Sequence, residues 1–307
     1  MLAMLCSCTH QPSTAAQIYF DTVVEITADC SDEVLSGAFS LCRDYENILS
    51  RTKKKSEVSL LSGGKREVSA DTLELINKGL YYSDITDGKF DITLAPLSDL
   101  WDFKNEVVPS RDEISEALKN VDYQSVKING NTVDTGGKSI DLGGIAKGYV
   151  ADKLLKYLTE NGAGSGIINL GGNVTVFGND YYNVGIKKPF TSGDVLATLK
   201  LKNKTVSTSG IYERYFKSDD GKLYHHILDT KTGYPAQTDL YSASVIGDTS
   251  VDCDALSTIC ILYGLNAATR MIEESEDFEA VFVDKDYNIY VTSGLEIKDG
   301  VITLTAR

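Results

Sequence analysis

The sequence is short of several residue types that would narrow its function. It has 307 residues but only three His and one Trp, so few side chains can titrate near neutral pH. Its 30 Lys and Arg are outnumbered by 44 Asp and Glu, which gives a net charge of −14. This surplus argues against a nucleic-acid binder, which needs clustered cations against phosphates. A phosphorylated small ligand stays possible, because a metal or backbone N–H groups can hold it.

Long apolar runs are also missing, and no stretch approaches the ~20 residues that a membrane-spanning helix needs. The start nevertheless resembles the end of a bacterial lipoprotein signal, because Leu5-Cys6-Ser7-Cys8 precedes a polar run to Gln17. Cys8 fits the lipidated position better than Cys6, and the alternative is a disordered start with chance cysteines. We therefore expect residues 1–17 to be a signal remnant or tether. The protein would be lipid-anchored outside the bacterial cytoplasmic membrane, on the periplasmic side, without other membrane contact.

Nothing in the rest of the sequence divides it into separate units. Only five Pro are present, and there is no repeat period and no long linker. The six Cys include no C-x-x-C pair, so neither a zinc ribbon nor a dithiol redox motif is supported. Although 307 residues could form two domains, we expect one folded unit over residues 18–307.

Hydrophobic periodicity predicts helices and strands in an irregular order. Helices are expected at residues 32–49, 70–86, 110–118, 145–157, 252–263 and 267–274. Strands are expected at residues 18–28, 166–170, 180–187, 195–201, 223–228, 240–246, 280–284, 289–292 and 301–305, with a hairpin turn at 129–130. This order favours an α+β fold, with mixed sheets and packed helices, over a doubly wound sheet.

A glycine-rich segment leads from an expected strand end into the 145–157 helix. Gly143 and Gly144 allow a ligand to approach the backbone closely, and a helix N-terminus offers unpaired N–H groups to an anion. Lys147 adds a cation in the first turn. The spacing matches neither a Walker A loop nor the dinucleotide-binding G-x-G-x-x-G. The segment predicts an anion site, with a plain strand-to-helix turn as the alternative.

Two further segments carry groups capable of chemistry. Asp254 and Thr258 stand four residues apart, on one face of an expected helix. Both offer oxygen ligands, which suit a hard cation such as Mg²⁺ better than zinc. His225 and His226 are adjacent in an expected strand, so their side chains point to opposite faces. A histidine base that works near neutral pH should come from this pair, although both could simply be half-buried strand residues.

Together these segments belong to an ordered series of motifs. The series is DLGGIAKGYVAD at 141–152, NLGGN at 169–173, STSG at 207–210 with Tyr212, HILD at 226–229, TGYP at 232–235 and DALST at 254–258. Ser50-Arg51, GKFD at 88–91 and Thr93 extend the series upstream. From about Ile18 onwards, this order resembles the ApbE family of FAD:protein FMN transferases.

The resemblance implies a single T-fold-like catalytic unit with a cleft for FAD. It implies a Mg²⁺-dependent transferase that passes FMN from FAD to a Thr or Ser hydroxyl through a phosphoester bond and releases AMP. The acceptor would be a flavoprotein, either a membrane redox subunit or an extracytoplasmic protein. Two alternatives stay open: an FAD pyrophosphatase that yields FMN and AMP, and a non-catalytic FAD-binding lipoprotein.

The resemblance also implies which residues hold the metal and the substrate. The metal ligands would be Asp254, Thr258 and the carbonyl oxygen of Ala146. FAD would be bound by residues of the ordered motifs, namely Thr93, Asp141, Gly143, Gly144, Lys147, Ser209, Gly210 and Tyr212.

Three residues would take part in the chemistry. His226 would accept the proton of the acceptor hydroxyl, oriented by Asp229. Lys147 and the adjacent helix N-terminus would stabilise negative charge on the pyrophosphate.

Overall fold

A computed structural model describes residues 12–219 and 221–305 of the chain. Within these residues the helices are Asp32–Leu49 (α1), Glu57–Leu61 (α2), Ala70–Ile85 (α3), Ala95–Ser98 (α4), Arg111–Leu118 (α5), Ala146–Glu160 (α6), Ser250–Tyr263 (α7) and Leu265–Glu273 (α8), with a 3₁₀ turn at Tyr123–Ser125. The strands are Ser13–Tyr19 (β1), Thr22–Ala28 (β2), Arg66–Glu67 (β3), Lys127–Asn129 (β4), Thr132–Asp134 (β5), Gly166–Leu170 (β6), Asn173–Phe177 (β7), Tyr182–Lys187 (β8), Val195–Leu201 (β9), Lys204–Gly210 (β10), Tyr215–Lys217 (β11), Leu223–His225 (β12), Leu240–Gly247 (β13), Glu279–Asp284 (β14), Ile289–Val291 (β15), Leu295–Lys298 (β16) and Val301–Leu304 (β17).

An eight-stranded antiparallel sheet forms the centre of the fold. Its strand order is β1-β2-β6-β7-β10-β13-β14-β15. A four-stranded sheet, β16-β17-β9-β8, includes one parallel pair, β17 with β9. Two- and three-stranded sheets complete the fold. The α+β class with mixed sheets is therefore confirmed.

The central sheet has apolar side chains on both faces. On one face, helices α1, α6 and α7 cover the larger core, which includes Ile26, Leu154 and Phe282. On the other face, the four-stranded sheet contributes Leu199 and Ile302 to a second core. Burial on both faces makes the middle of the central sheet a rigid support for the residues at its ends.

Serine caps explain where several helices begin. The side chains of Ser31, Ser56, Ser69 and Ser110 each accept a hydrogen bond from a backbone N–H in the first turn of the following helix. Such caps satisfy N–H groups that have no partner within the helix. The predicted helices at 32–49, 70–86 and 110–118 are confirmed to within a residue.

The N-terminal strand differs from the prediction. The expected strand at 18–28 is a hairpin, because Phe20 and Asp21 adopt φ values of 53° and 56° and reverse the chain. Two consecutive residues with positive φ form the turn that joins tightly paired antiparallel strands. The structure also places residues 13–17, which the sequence assigned to the tether, in β1.

Close packing of α6 against α7 depends on a glycine. A Cβ atom at Gly148 would lie 2.3 Å from the carbonyl oxygen of Ser250, so only glycine fits there without displacement of the backbone. The contact joins the N-terminal ends of the two helices. The glycine-rich segment and the DALST motif are therefore neighbours.

The expected membrane contact concerns the helices and Cys8. No helix in the described ranges is both long and apolar enough to cross a bilayer. Cys8, the expected lipidation site, lies outside the described residues.

Candidate active site

A deep cleft of about 1150 Å³ opens at one end of the central sheet. The start of α6, one face of α7 and the end of β10 form its floor, while the β1–β2 turn and the loops at 50–53 and 99–104 form its rim. The lining includes most of the residues expected at the site, namely Asp141, Gly143, Gly144, Ala146, Lys147, Ser209, Gly210, His226, Asp254 and Thr258. The fold thus brings together motifs that are more than a hundred residues apart in sequence.

Asp254 is a buried carboxylate on the floor of the cleft, only 4% exposed. Its Oδ2 atom accepts a hydrogen bond of 2.9 Å from the backbone N–H of Gly148, and its Oδ1 atom accepts one of 3.3 Å from the Ser207 hydroxyl. Within the described ranges it forms no ion pair. Since a buried charge is costly unless it is paired or binds a metal, this carboxylate is suited to a cation.

Three hydroxyl groups lie beside each other next to Asp254. The Ser209 hydroxyl is 2.8 Å from that of Ser257 and 2.9 Å from that of Thr258. We call Asp254, Ser209, Ser257 and Thr258 the oxygen cluster. A Cβ atom at Gly144 would lie 4.0 Å from the Thr258 hydroxyl, so the glycine-rich segment borders this cluster.

The oxygen cluster fits a hard cation by the chemistry of its atoms. Carboxylate, hydroxyl and carbonyl oxygens are ligands that Mg²⁺ accepts, usually together with water and substrate phosphates. No group of three or more His, Cys, Asp or Glu suited to a metal occurs in the part of the chain that the structure describes. The expected set of Asp254, Thr258 and the Ala146 carbonyl contains only one residue of these four types.

A second carboxylate fixes the helix that carries Asp254. Asp152 on α6 accepts hydrogen bonds from the backbone N–H groups of Ser250 and Val251, at 2.8 and 2.9 Å. These are the first residues of α7, so the carboxylate caps that helix. Burial raises the pKa of Asp152 to about 6, and the two N–H donors oppose this rise.

Cationic side chains also line the cleft. Lys147 lines it from the first turn of α6 and forms no ion pair among residues 12–219 and 221–305. Arg51 links two carboxylates of the rim. Its Nε atom lies 3.2 Å from Asp141, and its Nη1 atom binds Asp99. The Asp141 carboxylate also accepts a 2.8 Å hydrogen bond from the Gly143 N–H. Asp141 therefore orders the glycine-rich segment as well as lining the cleft.

The strand expected at 223–228 is shorter, because β12 ends at His225. The two neighbouring histidines nevertheless have different positions. His226 lines the cleft, whereas His225 is buried and its Nε2 atom lies 3.1 Å from the Ala236 carbonyl. Burial, together with the nearby Arg214, lowers the pKa of His226 to about 3. Its Nδ1 atom is buried and has no hydrogen-bond partner in the described part of the chain. The low pKa keeps the His226 imidazole neutral near pH 7, with an Nδ1 atom that no other described group engages.

Asp229 performs a structural task in the turn that follows. Its Oδ1 atom accepts hydrogen bonds from the backbone N–H groups of Lys231 and Thr232, at 2.8 and 3.0 Å. No hydrogen bond joins it to His226 in the described ranges. The orientation of His226 by Asp229 therefore stays a prediction without a contact in this structure.

Two of the residues expected to bind FAD do not line the cleft. Thr93 is fully buried, and its hydroxyl donates to the Asp91 carboxylate and accepts from the Asp122 N–H. Tyr212 is buried with its ring against Gly210, where a Cβ atom would approach it to 2.5 Å. Burial raises the pKa of Tyr212, so its hydroxyl stays protonated. Both residues support the walls of the site.

Sequence reasoning gave no role to some residues that the structure places at or beside the site, although Ser207 and Ser257 belong to the quoted motifs. Ser207 and Ser257 contact Asp254 and Ser209, and Phe103 and Arg214 line the cleft. Ser207 and Ser209 lie in β10, whose sequence KTVSTSG has one apolar residue and no apolar/polar alternation, so the segment was not predicted as a strand. Arg214 and Phe103 lie in irregular segments without a recognisable pattern.

Comparison with known proteins agrees with this geometry. A sequence model of the ApbE family matches residues 20–282. The chain belongs to the ApbE family. An FAD:protein FMN transferase of Klebsiella pneumoniae is 35% identical over 274 residues, which span 85% of this chain and 86% of that protein. One of Treponema pallidum is 33% identical over 301 residues, or 89% of this chain and 82% of the relative.

A solved structure supports both the assignment to the ApbE family and the observed fold. The crystal structure of an ApbE protein from Thermotoga maritima superposes with a TM-score of 0.84 at 30% identity, and the match covers 92% of this chain and 97% of that one. The flavinyl transferase ApbE of Pseudomonas stutzeri, at 24% identity, has the same fold with a TM-score of 0.80. The single-unit α+β architecture predicted from the sequence is thus confirmed.

Proposed function

We propose that this protein transfers FMN from FAD to a Thr or Ser hydroxyl of a partner flavoprotein, in a Mg²⁺-dependent reaction that releases AMP. The observation that carries the proposal is the buried Asp254 carboxylate on the floor of the cleft. It has no ion-pair partner in the described part of the chain, and it accepts a hydrogen bond from the Ser207 hydroxyl. One helical turn away, the Thr258 hydroxyl lies 2.9 Å from that of Ser209. Relatives named FAD:protein FMN transferase support the flavin-transfer part of it.

The residues of the cleft can perform the steps of such a transfer. His226 would take the proton of the acceptor hydroxyl, whose oxygen then bonds to the FMN phosphorus while the bond to AMP breaks. Lys147 and the N-terminus of α6 would stabilise the charge on the phosphates. Bound at Asp254, Thr258 and the Ala146 carbonyl, Mg²⁺ would supply charge neutralisation at the pyrophosphate.

Mass spectrometry of an acceptor distinguishes this function from its rivals. The chain is incubated with FAD, Mg²⁺ and the flavin-free form of an extracytoplasmic flavoprotein that carries a target Thr. We expect the acceptor mass to rise by one FMN less one water, with one AMP released per acceptor. AMP without modified acceptor would contradict transfer and indicate a pyrophosphatase, and neither product would indicate binding alone.

We also propose that the protein is lipid-anchored at Cys8, outside the cytoplasmic membrane. The support is the sequence Leu5-Cys6-Ser7-Cys8 followed by a polar run. Expressed in a bacterial host, the protein should sediment with membranes, and Cys8→Ser should shift it to the soluble fraction. Cys6→Ser is the matched control and should stay with the membranes. Equal distribution of the Cys8→Ser variant and the parent would contradict the anchor.

A further inference from the structure

Strand β1 forms one edge of the central sheet, and its outer side pairs with no other strand in the described ranges. It pairs with β2 over seven consecutive residues without a bulge. Its sequence, STAAQIY, contains neither a charged residue nor a proline. Free edges in soluble proteins are normally blunted by charge, proline, a bulge or short length. The edge of β1 has none of these protections.

The other end strands of the two larger sheets are protected in the ways expected. At the opposite end of the central sheet, β15 has only three residues. In the four-stranded sheet, β8 has a bulge beside Lys187, and β16 carries Glu296 and Lys298. The open edge of β1 is therefore a particular property of this strand, which suggests that it serves a purpose.

The register shows which main-chain groups face outward from β1. Tyr19 pairs with Thr22 across a two-residue turn, and such a closing pair exchanges hydrogen bonds. Because bonded and non-bonded pairs alternate along an antiparallel ladder, the N–H and C=O groups of Thr14, Ala16 and Ile18 face away from β2. Ile18 is also 77% exposed. These groups can bind an extended polypeptide by strand addition.

The edge leads directly to the cleft. The turn at 20–22 that ends β1 lines the cleft, and the Phe20 N–H donates a 2.7 Å hydrogen bond to Glu46, which fixes it there. Asp21 lies 3.9 Å from Arg214, whose carbonyl oxygen accepts the backbone N–H of His226. A segment paired along β1 would thus continue toward the base.

We propose that the edge of β1 binds an extended segment of the acceptor protein and directs its Thr or Ser into the cleft. The proposal rests on the proposed transfer function, because that reaction has a polypeptide as its second substrate. An extended segment also exposes its hydroxyl, as the transfer requires.

The test compares Ala16→Pro, which removes one outward N–H, with Ala16→Val, which keeps it. The probe is the same flavin-free extracytoplasmic flavoprotein, labelled at a series of concentrations, and FAD affinity is measured in parallel. Loss of one or two main-chain hydrogen bonds should raise the KM for the acceptor about tenfold. FAD affinity should stay unchanged, and Ala16→Val should behave like the parent.

The remaining outcomes separate this inference from the proposed function. If Ala16→Pro also loses FAD affinity through misfolding, Ala16→Lys decides, since a charge opposes edge pairing while the N–H remains. An unchanged acceptor KM in a folded variant would overturn the inference alone. The inference would also be overturned if Ala16→Pro converts a dimer into a monomer without changing the KM for the acceptor, because a second copy of the chain would then occupy the edge. If the parent modifies no acceptor, the proposed function fails and this inference fails with it.

Discussion

The floor and the rim of the cleft are built in different ways. On the floor, Asp254 is buried and bonded to the backbone of α6, and Asp152 caps the helix that carries it. On the rim, Arg51 connects Asp99 and Asp141 through partly exposed side chains. Exposed ion pairs contribute little stability and are screened by salt. The buried floor is therefore suited to chemistry, and the more exposed rim to recognition.

The largest effect should follow from a change on the floor. Asp254→Asn keeps the size of the side chain but removes the charge that would hold the cation. We expect the rate of FMN transfer to fall about 10³-fold, because a bound metal contributes several kcal/mol to such a transition state. Labelling at saturating FAD and Mg²⁺ measures this. Asp252→Asn is the matched control, because that carboxylate binds Lys78 and Tyr82 outside the cleft. Equal losses in both variants would contradict the role of Asp254.

The base should show the next largest effect. Removal of a positioned general base typically slows a reaction by about 10²–10⁴-fold, and we expect a loss in this range for His226→Ala. His225→Gln is the neighbouring control, since His225 is buried away from the cleft. Its transfer rate should stay within about tenfold of the parent. A His226→Ala variant as fast as the parent would rule out this base.

The pH profile sharpens the assignment of the base. Burial holds the pKa of His226 at about 3, below its usual value, so the free imidazole stays neutral as the pH falls through 6. Protonation of His226 would remove the base. The decline of kcat/KM on the acidic side of the pH profile should therefore begin below pH 6 and continue toward the low pKa of His226. A limb centred at or above about pH 6.5, the value of an unperturbed histidine, would contradict this assignment.

A smaller effect should appear at the cap of α7. Asp152→Asn can accept only one of the two N–H hydrogen bonds, so the free energy of unfolding should fall by about 1 kcal/mol. Urea unfolding measures this change. Asp248→Asn is the control, because Asp248 is exposed and pairs with Lys204 at the surface. If Asp152→Asn and Asp248→Asn have the same free energy of unfolding, the cap does not contribute to stability.

The smallest effect should occur on the rim. Arg51→Lys keeps the charge but loses the geometry that joins Asp99 to Asp141. We expect the KM for FAD to rise by less than about tenfold, and the difference from the parent to shrink at high salt. A loss of kcat as large as that of Asp254→Asn would contradict the contrast between rim and floor.

The sequence could predict what depends on local pattern. Helix α1 follows from apolar periodicity. The different positions of His225 and His226 agree with the alternation expected of a strand, although β12 ends at His225. The buried hydroxyls of Ser207 and Ser257 could not be predicted, because their contacts join β10 and α7 across the fold. The same holds for the capping of α7 by Asp152, which lies about a hundred residues away.

The central claim is that Asp254 binds the Mg²⁺ on which FMN transfer depends. Titration with Mg²⁺ tests this claim most directly. Fluorescent labelling of the flavin-free acceptor is followed on a denaturing gel for the parent and for Asp254→Asn. We predict that the parent labels the acceptor only when Mg²⁺ is added, and that Asp254→Asn shows little labelling at any Mg²⁺ concentration. Labelling by the parent in the presence of a chelator, or the same Mg²⁺ dependence in both proteins, would contradict the account.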